Sequence, residues 1–306
     1  MGKTTAARLV TGMFAAALLM TGCGGGGGDN PAAVPTATGF IHIAITDAPI
    51  DEVSVVNIQF AAVTLKPASG DEITIEFDPP KDIDLVTLSD GTTAELLPDT
   101  AVIAGRYNWL AFDVNAEFDN VFDSYAMIPG GQVELRVPSA NGLRLVSGFT
   151  VTQDQTTNLV IDWDLRKALA DPLGQPGLHL RSALRVTDMA SFGTLRGSVD
   201  AALVMDASCT NDLAADTGNA VYLYQGMVAA PGDIGDATLE PYATASVSQN
   251  GAGDYVYEIN FLPVGEYTAV FTCQASDDMS DTDDDIEFSA SQTFTIEDGE
   301  TSEVNF

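Results

Sequence analysis

An alternation of apolar and polar side chains recurs, between turn signals, along almost the whole chain, and it limits the possible folds more than any other feature. In Phe40-Ile41-His42-Ile43-Ala44-Ile45-Thr46 the three isoleucines share one face of an extended strand, because successive side chains of a strand point to opposite sides. Asp47-Ala48-Pro49 then reads as a turn. Residues 53–65 are rich in β-formers, and Ile73-Thr74-Ile75-Glu76-Phe77 alternates strictly and is expected to end at Pro79-Pro80. Residues 109–118, 132–137, 143–151, 158–163 and 178–186 continue the series, and only 165–170 resembles a helical turn. Further strands are expected at 194–199, 220–224, 255–259 and 288–296. Many short strands with regular turns predict an all-β chain. With 306 residues, 45% of them hydrophobic, it can hold two cores. The pattern fits a sandwich or a barrel, in two domains at 39–190 and 193–306.

The N-terminus reads differently. Lys3 and Arg8 precede an apolar stretch at 9–20 that is too short to span a bilayer as a helix. Leu19-Met20-Thr21-Gly22-Cys23 follows. It resembles the lipobox of bacterial lipoproteins, with Met20 a less common choice at its position. The resemblance implies a signal peptide at 1–22, cleavage before Cys23, and lipid attached to the Cys23 thiol. Gly24 to Gly28 is an unbroken glycine run, and the residues after it are polar and proline-bearing, so 23–38 is expected to be a flexible tether. Glycine rather than aspartate after the lipidated cysteine implies sorting to the outer membrane. An ordinary secretory leader with an incidental cysteine is the alternative.

Export places the two remaining cysteines, Cys209 and Cys273, in an oxidising compartment, where an even pair is expected to form a disulfide. Closing a loop of roughly 65 residues contributes about 3–4 kcal/mol in the chain-entropy account. Two free thiols are the alternative.

The formal net charge is -32. It is unevenly spread, for residues 194–306 hold a single base, Arg196, against 21 acids. Nucleic acid and anionic membrane surfaces are therefore poor partners, since both need a basic face. A cationic partner, a divalent metal or a saline habitat stays open beside the plainer reading of a solubilising surface.

Several short motifs, in order, carry a resemblance across residues 39–188. They are Thr46-Asp47-Ala48-Pro49, then Ile83-Asp84-Leu85-Val86-Thr87-Leu88, Leu96-Leu97 and Ala104-Gly105-Arg106-Tyr107. Val137-Pro138-Ser139 with Gly142-Leu143, Leu159-Val160-Ile161-Asp162-Trp163-Asp164 and Leu184-Arg185-Val186 complete the set. The region resembles the bacterial DUF4382 family, a domain of unknown function. That resemblance implies an exported β-rich domain, frequent on lipoproteins, with no established activity. Farther on, Tyr255-Val256-Tyr257-Glu258-Ile259 leads into Phe261-Leu262-Pro263-Val264-Gly265-Glu266-Tyr267-Thr268. This resembles transthyretin-like, carboxypeptidase-regulatory-like modules, and implies a seven-strand sandwich with a tight turn at Pro263 and Gly265 and Tyr267 turned inward, so the expected architecture becomes two β-sandwich domains, Ig-like or prealbumin-like.

Catalytic signals are sparse. The two histidines, His42 and His179, stand in different contexts, and the chain has no HExxH, CxxC or GxSxG. Acids are so abundant that no pair can be singled out for glycosidase chemistry. Asp162-Trp163-Asp164 puts both aspartates on one face, and pairing with Arg166, Arg181 or Arg185 is favoured over a metal or sugar site. The metal candidates lie in a segment expected to be a loop: Asp277, Asp278, Asp281, Asp283, Asp285 and Glu287. Carboxylates this dense repel one another, which a hard cation such as Ca²⁺ would relieve. Asp281, Asp283 and Asp285 have the spacing of an EF-hand start, but Ile286 replaces its glycine and Gln292 its final glutamate, so the segment is not an EF-hand. A solvated acidic loop is the alternative.

The expected function is therefore a non-catalytic cell-envelope lipoprotein with a structural or binding role, anchored through its N-terminal lipid and stabilised by Ca²⁺ if the acidic loop takes metal. A glycan or an envelope protein is the expected partner. A carbohydrate-binding or adhesive module and a hydrolase with an unrecognised acidic site are the alternatives.

Overall fold

Ile41, Ile43 and Ile45 are fully buried on the strand Thr38–Ala48, and His42 stands half-buried on the opposite face, as the alternation requires. This is a computed structural model, and it describes residues 37–306 except 49, 52, 90, 140, 141 and 173. The expected leader and Cys23 lie outside the described residues, as does all of the tether but Ala37 and Thr38.

The chain is all-β. Thr38–Ala48 lies between Thr156–Asp164, which runs parallel to it, and Ala94–Ile103, which runs antiparallel; Leu184–Asp188 completes a four-stranded sheet. A nine-stranded sheet built around Val55–Pro67 faces it. The two share one apolar core, in which Trp163 of the first sheet is fully buried with ring centroids 6.1 Å from both Phe60 and Phe112 of the second. After Asp188 the chain forms two more four-stranded sheets. Leu195, Tyr257 and Ile259 from one pack with Val221, Leu223 and Phe271 from the other. Val304 carbonyl oxygen would lie 1.6 Å from a Cβ at position 197, so only glycine allows the C-terminal segment this close. A smaller apolar cluster on the outer face of this sandwich joins Tyr222, Tyr224 and Val270 to Ile234 and Ala275.

Two expected strands keep only part of their span, 109–118 falling on Gly105–Val114 and 288–296 on Gln292–Ile296, and three others change course. Ile73–Asp84 does not end at Pro79-Pro80 but resumes beyond it. Ala62 pairs with Glu76 and Phe60 with Lys81, so the prolines fall in a bulge of an edge strand, where a missing N–H costs no ladder bond. The expected strand at 143–151 is two pieces, Leu143–Leu145 and Phe149–Val151, both paired with Gly105–Val114. Between them Val146, Ser147 and Gly148 face only Asn108 and Trp109, so the ladder cannot run through. The stretch at 178–186 is also divided. Leu178–Leu180 joins the nine-stranded sheet, and Leu184–Asp188 crosses to the other. The helical turn is Leu165–Ala168, capped by the Asp164 carboxylate.

Candidate functional site

The first sandwich meets the second through the end of the strand Thr156–Asp164 and the turn after it. Alternation buries Trp163 in the core and sends Asp162 and Asp164 the other way, toward the second sandwich. Asp162 is paired with Arg185, and both are buried. The same guanidinium donates to the carbonyls of Asn260 and Phe261, each at 2.9 Å. Thr187 also donates to the Phe261 carbonyl. Phe261 has φ +53°, a left-handed conformation that a bulky aromatic rarely adopts, and its carbonyl is the one shared by two donors across the joint.

Asp164 accepts from the Thr244 amide at 2.8 Å and the Thr244 hydroxyl at 2.9 Å. Burial raises the Asp164 carboxyl above the ordinary aspartate range, opposed by Lys167 and by the Thr244 hydroxyl. Arg166 bridges Asp51 at 2.9 Å and also donates to Ser246 Oγ and the Ala275 carbonyl. Lys167 reaches the Pro241 carbonyl and Glu240, and Arg181 donates to the Ser280 carbonyl. The favoured pairing thus holds for Asp162 with Arg185, while Arg166 and Arg181 find partners elsewhere. The four bases all come from the first sandwich, and apart from Asp162 and Asp51 their partners named here lie in the second.

The two histidines stay apart. His42 lies 3.5 Å from Asp99 on the four-stranded sheet. His179 is buried on Leu178–Leu180, where burial first and then Arg136 and Arg181 hold its pKa low. A groove of about 800 Å³ opens where the sandwiches meet, with Asp51, Arg196, Ser246, Glu258 and Asn305 among its lining.

Cys209 and Cys273 form a disulfide across 64 residues. Cys273 directly follows the strand Gly265–Thr272 and stands at the base of the acidic segment. Of the six acids expected there as metal ligands, only Asp278 is buried; Asp277, Asp281, Asp283, Asp285 and Glu287 are exposed. Asp278 is joined instead by Asp284, which shares its segment, and by Asp233 from the loop before Tyr242. One oxygen of each carboxylate lies within 4.8 Å of the others. Asp278 Oδ2 accepts from Tyr222 Oη and, at 3.2 Å, from the Ile234 amide. Asp233 Oδ2 accepts from the Asp284 amide, and Asp284 Oδ2 from the Met279 amide and the Thr282 hydroxyl. Burial pushes the Asp278 carboxyl up to about 6, against the hydrogen bond from Tyr222, and also raises Asp233. The local signal at Asp233 is its place between Gly232 and Gly235, which marks a tight loop but does not connect it with a segment more than 40 residues onward.

Solved structures similar to this chain include the Bacillus anthracis TIE protein, at 12% identity and TM-score 0.20. That alignment covers 88% of this chain, which spans 34% of the TIE protein. The Streptococcus agalactiae minor pilin GBS52 aligns at 12% identity and TM-score 0.19, over 87% of this chain and 94% of the pilin. BcpA, the major pilin subunit of Bacillus cereus, aligns at 7% identity and TM-score 0.17, over 88% and 98%. Likeness at these scores carries no argument about fold or role. No curated protein matches the chain. Residues 38–181 match the family described as Domain of unknown function (DUF4382), so a DUF4382 domain occupies the first sandwich from its opening strand to Arg181 of the joint.

Proposed function

We propose that this protein is a non-catalytic lipoprotein of the cell envelope, tethered through Cys23 to the outer membrane, whose two sandwiches act as one stiff body in a structural or binding role. The joint carries this reading. Asp162, Asp164, Arg166 and Arg185 are the groups that a hydrolytic site would draw on, and all four are buried and committed to holding the sandwiches together. Charge-assisted hydrogen bonds in such number resist hinge motion better than a flexible linker does. A stiff body on a glycine spacer suits a protein that holds a surface clear of a membrane.

The division into domains at 39–190 and 193–306 belongs to this proposal, supported by the separate core of each sheet pair. So does the transthyretin-like reading of the second, supported by buried Tyr267, whose hydroxyl donates to the Pro263 carbonyl at 2.8 Å. The groove beside the joint favours binding over a purely spacing role, because its polar lining suits a glycan.

Membrane fractionation of the Cys23→Ser variant tests the anchor. We expect the protein to move from the membrane to the soluble fraction, and retention in the membrane would overturn the lipoprotein reading. The released protein, applied to a glycan array, is expected to bind; failure there would leave the structural role alone.

A further inference from the structure

The acidic segment and the loop carrying Asp233 meet without a basic side chain of their own. Arg196, the only base after residue 193, lies exposed on the strand Phe192–Val199. Arg166, whose charge reaches Asp278, is committed to Asp51. We propose that Asp233, Asp278 and Asp284 form a site for a hard divalent cation such as Ca²⁺, and that the ion fastens the segment seating the second sandwich on the first.

Two independent observations support the site. The first is convergence, with three carboxylates from two loops within 4.8 Å. The second is an unmet acceptor. Asp278 is only 7% exposed, and its Oδ1 has no hydrogen-bond partner among the described residues. Its other oxygen is held by Tyr222 and the Ile234 amide, so the carboxylate is already oriented. A buried acceptor left unsatisfied is costly, and a cation answers both that cost and the repulsion among the three groups. The loops are also closed on one another. A Cβ at position 235, where φ is +97°, would lie 2.0 Å from the Thr282 carbonyl oxygen, so only glycine permits this approach.

The expected consequence runs through Ser280, between Asp278 and Asp284. Its hydroxyl donates to the Leu169 carbonyl at 2.7 Å, and its own carbonyl accepts from Arg181. An ion that holds Asp278 and Asp284 therefore holds two of the links between the sandwiches.

The test uses the full chain, stripped with a chelator. Tb³⁺ is the probe, because Tyr222 touches Asp278 and can sensitise a lanthanide bound there. We expect tyrosine-sensitised Tb³⁺ emission that Ca²⁺ displaces, and a melting temperature that rises with millimolar Ca²⁺. Asp284→Asn, which alters the least buried of the three carboxylates, is expected to weaken Ca²⁺ by about tenfold or more while leaving the circular dichroism unchanged. Asp281→Asn and Asp285→Asn, on exposed acids of the same segment, should leave affinity within about twofold. Absence of both the emission and the melting shift would overturn the proposal. So would equal losses in Asp281→Asn and Asp284→Asn, which would mean diffuse attraction to an acidic surface.

Discussion

The two sandwiches differ in whether acids withdrawn from solvent meet bases. In the first, Asp162 meets Arg185 and Asp51 meets Arg166, and the guanidinium groups go on to donate to carbonyls and a hydroxyl of the second. In the second, Asp233 and Asp278 are buried beside Asp284, while the sole base of that half is exposed on another strand. Their apolar interiors differ too. The first has one continuous core around Trp163, whereas the second divides its apolar residues between an inner core and a smaller outer cluster, and adds a disulfide. Among the described residues the ion pairs withdrawn from solvent lie at the joint, and none involves Asp233, Asp278 or Asp284.

The comparison can be broken at the core first. Trp163→Ala is expected to cost about 3–5 kcal/mol in denaturant unfolding, because it empties the contact between the two facing sheets. A loss below about 1 kcal/mol would mean that the first sandwich does not depend on one core. Removing the disulfide with Cys209→Ser and Cys273→Ser together is expected to cost about 3–4 kcal/mol, read as earlier proteolysis confined to the second sandwich. If fragments of the first sandwich appear as early, the two halves do not differ in what holds them. The smallest effect belongs to the joint. Thr244→Val keeps the shape but removes a hydroxyl donor to a buried carboxylate, and should cost about 1.5–3 kcal/mol. Calorimetry is expected to show one transition for the parent and two for the variant; a single transition in both would show that this bond does not couple the sandwiches.

Much of this was legible before the structure. Ile41, Ile43 and Ile45 announce their face because a strand's period is two, and Trp163 announces its burial by the same rule against Asp162 and Asp164. Less legible were events set by a neighbour. The break at Val146 depends on how many residues of the strand Gly105–Val114 lie opposite, and the bulge at Pro79-Pro80 on the position of Ile73–Asp84 at an edge. Neither is a property of the local sequence. The acidic segment teaches the same lesson at a site. Density of charge marked residues 277–287, yet only Asp278 and Asp284 of that run face Asp233 across the loops.

By itself the sequence determined what depends on chain-local physics. That comprises the all-β class, the strand faces and the helical turn after Asp164. Only the tertiary structure decided which acids would meet bases and which would meet one another. Coulomb and desolvation energies depend on distance and burial, and both arise when segments remote in sequence pack together. Arg185 reaches Asn260 and Phe261, and Asp233 reaches Asp278, through that packing alone.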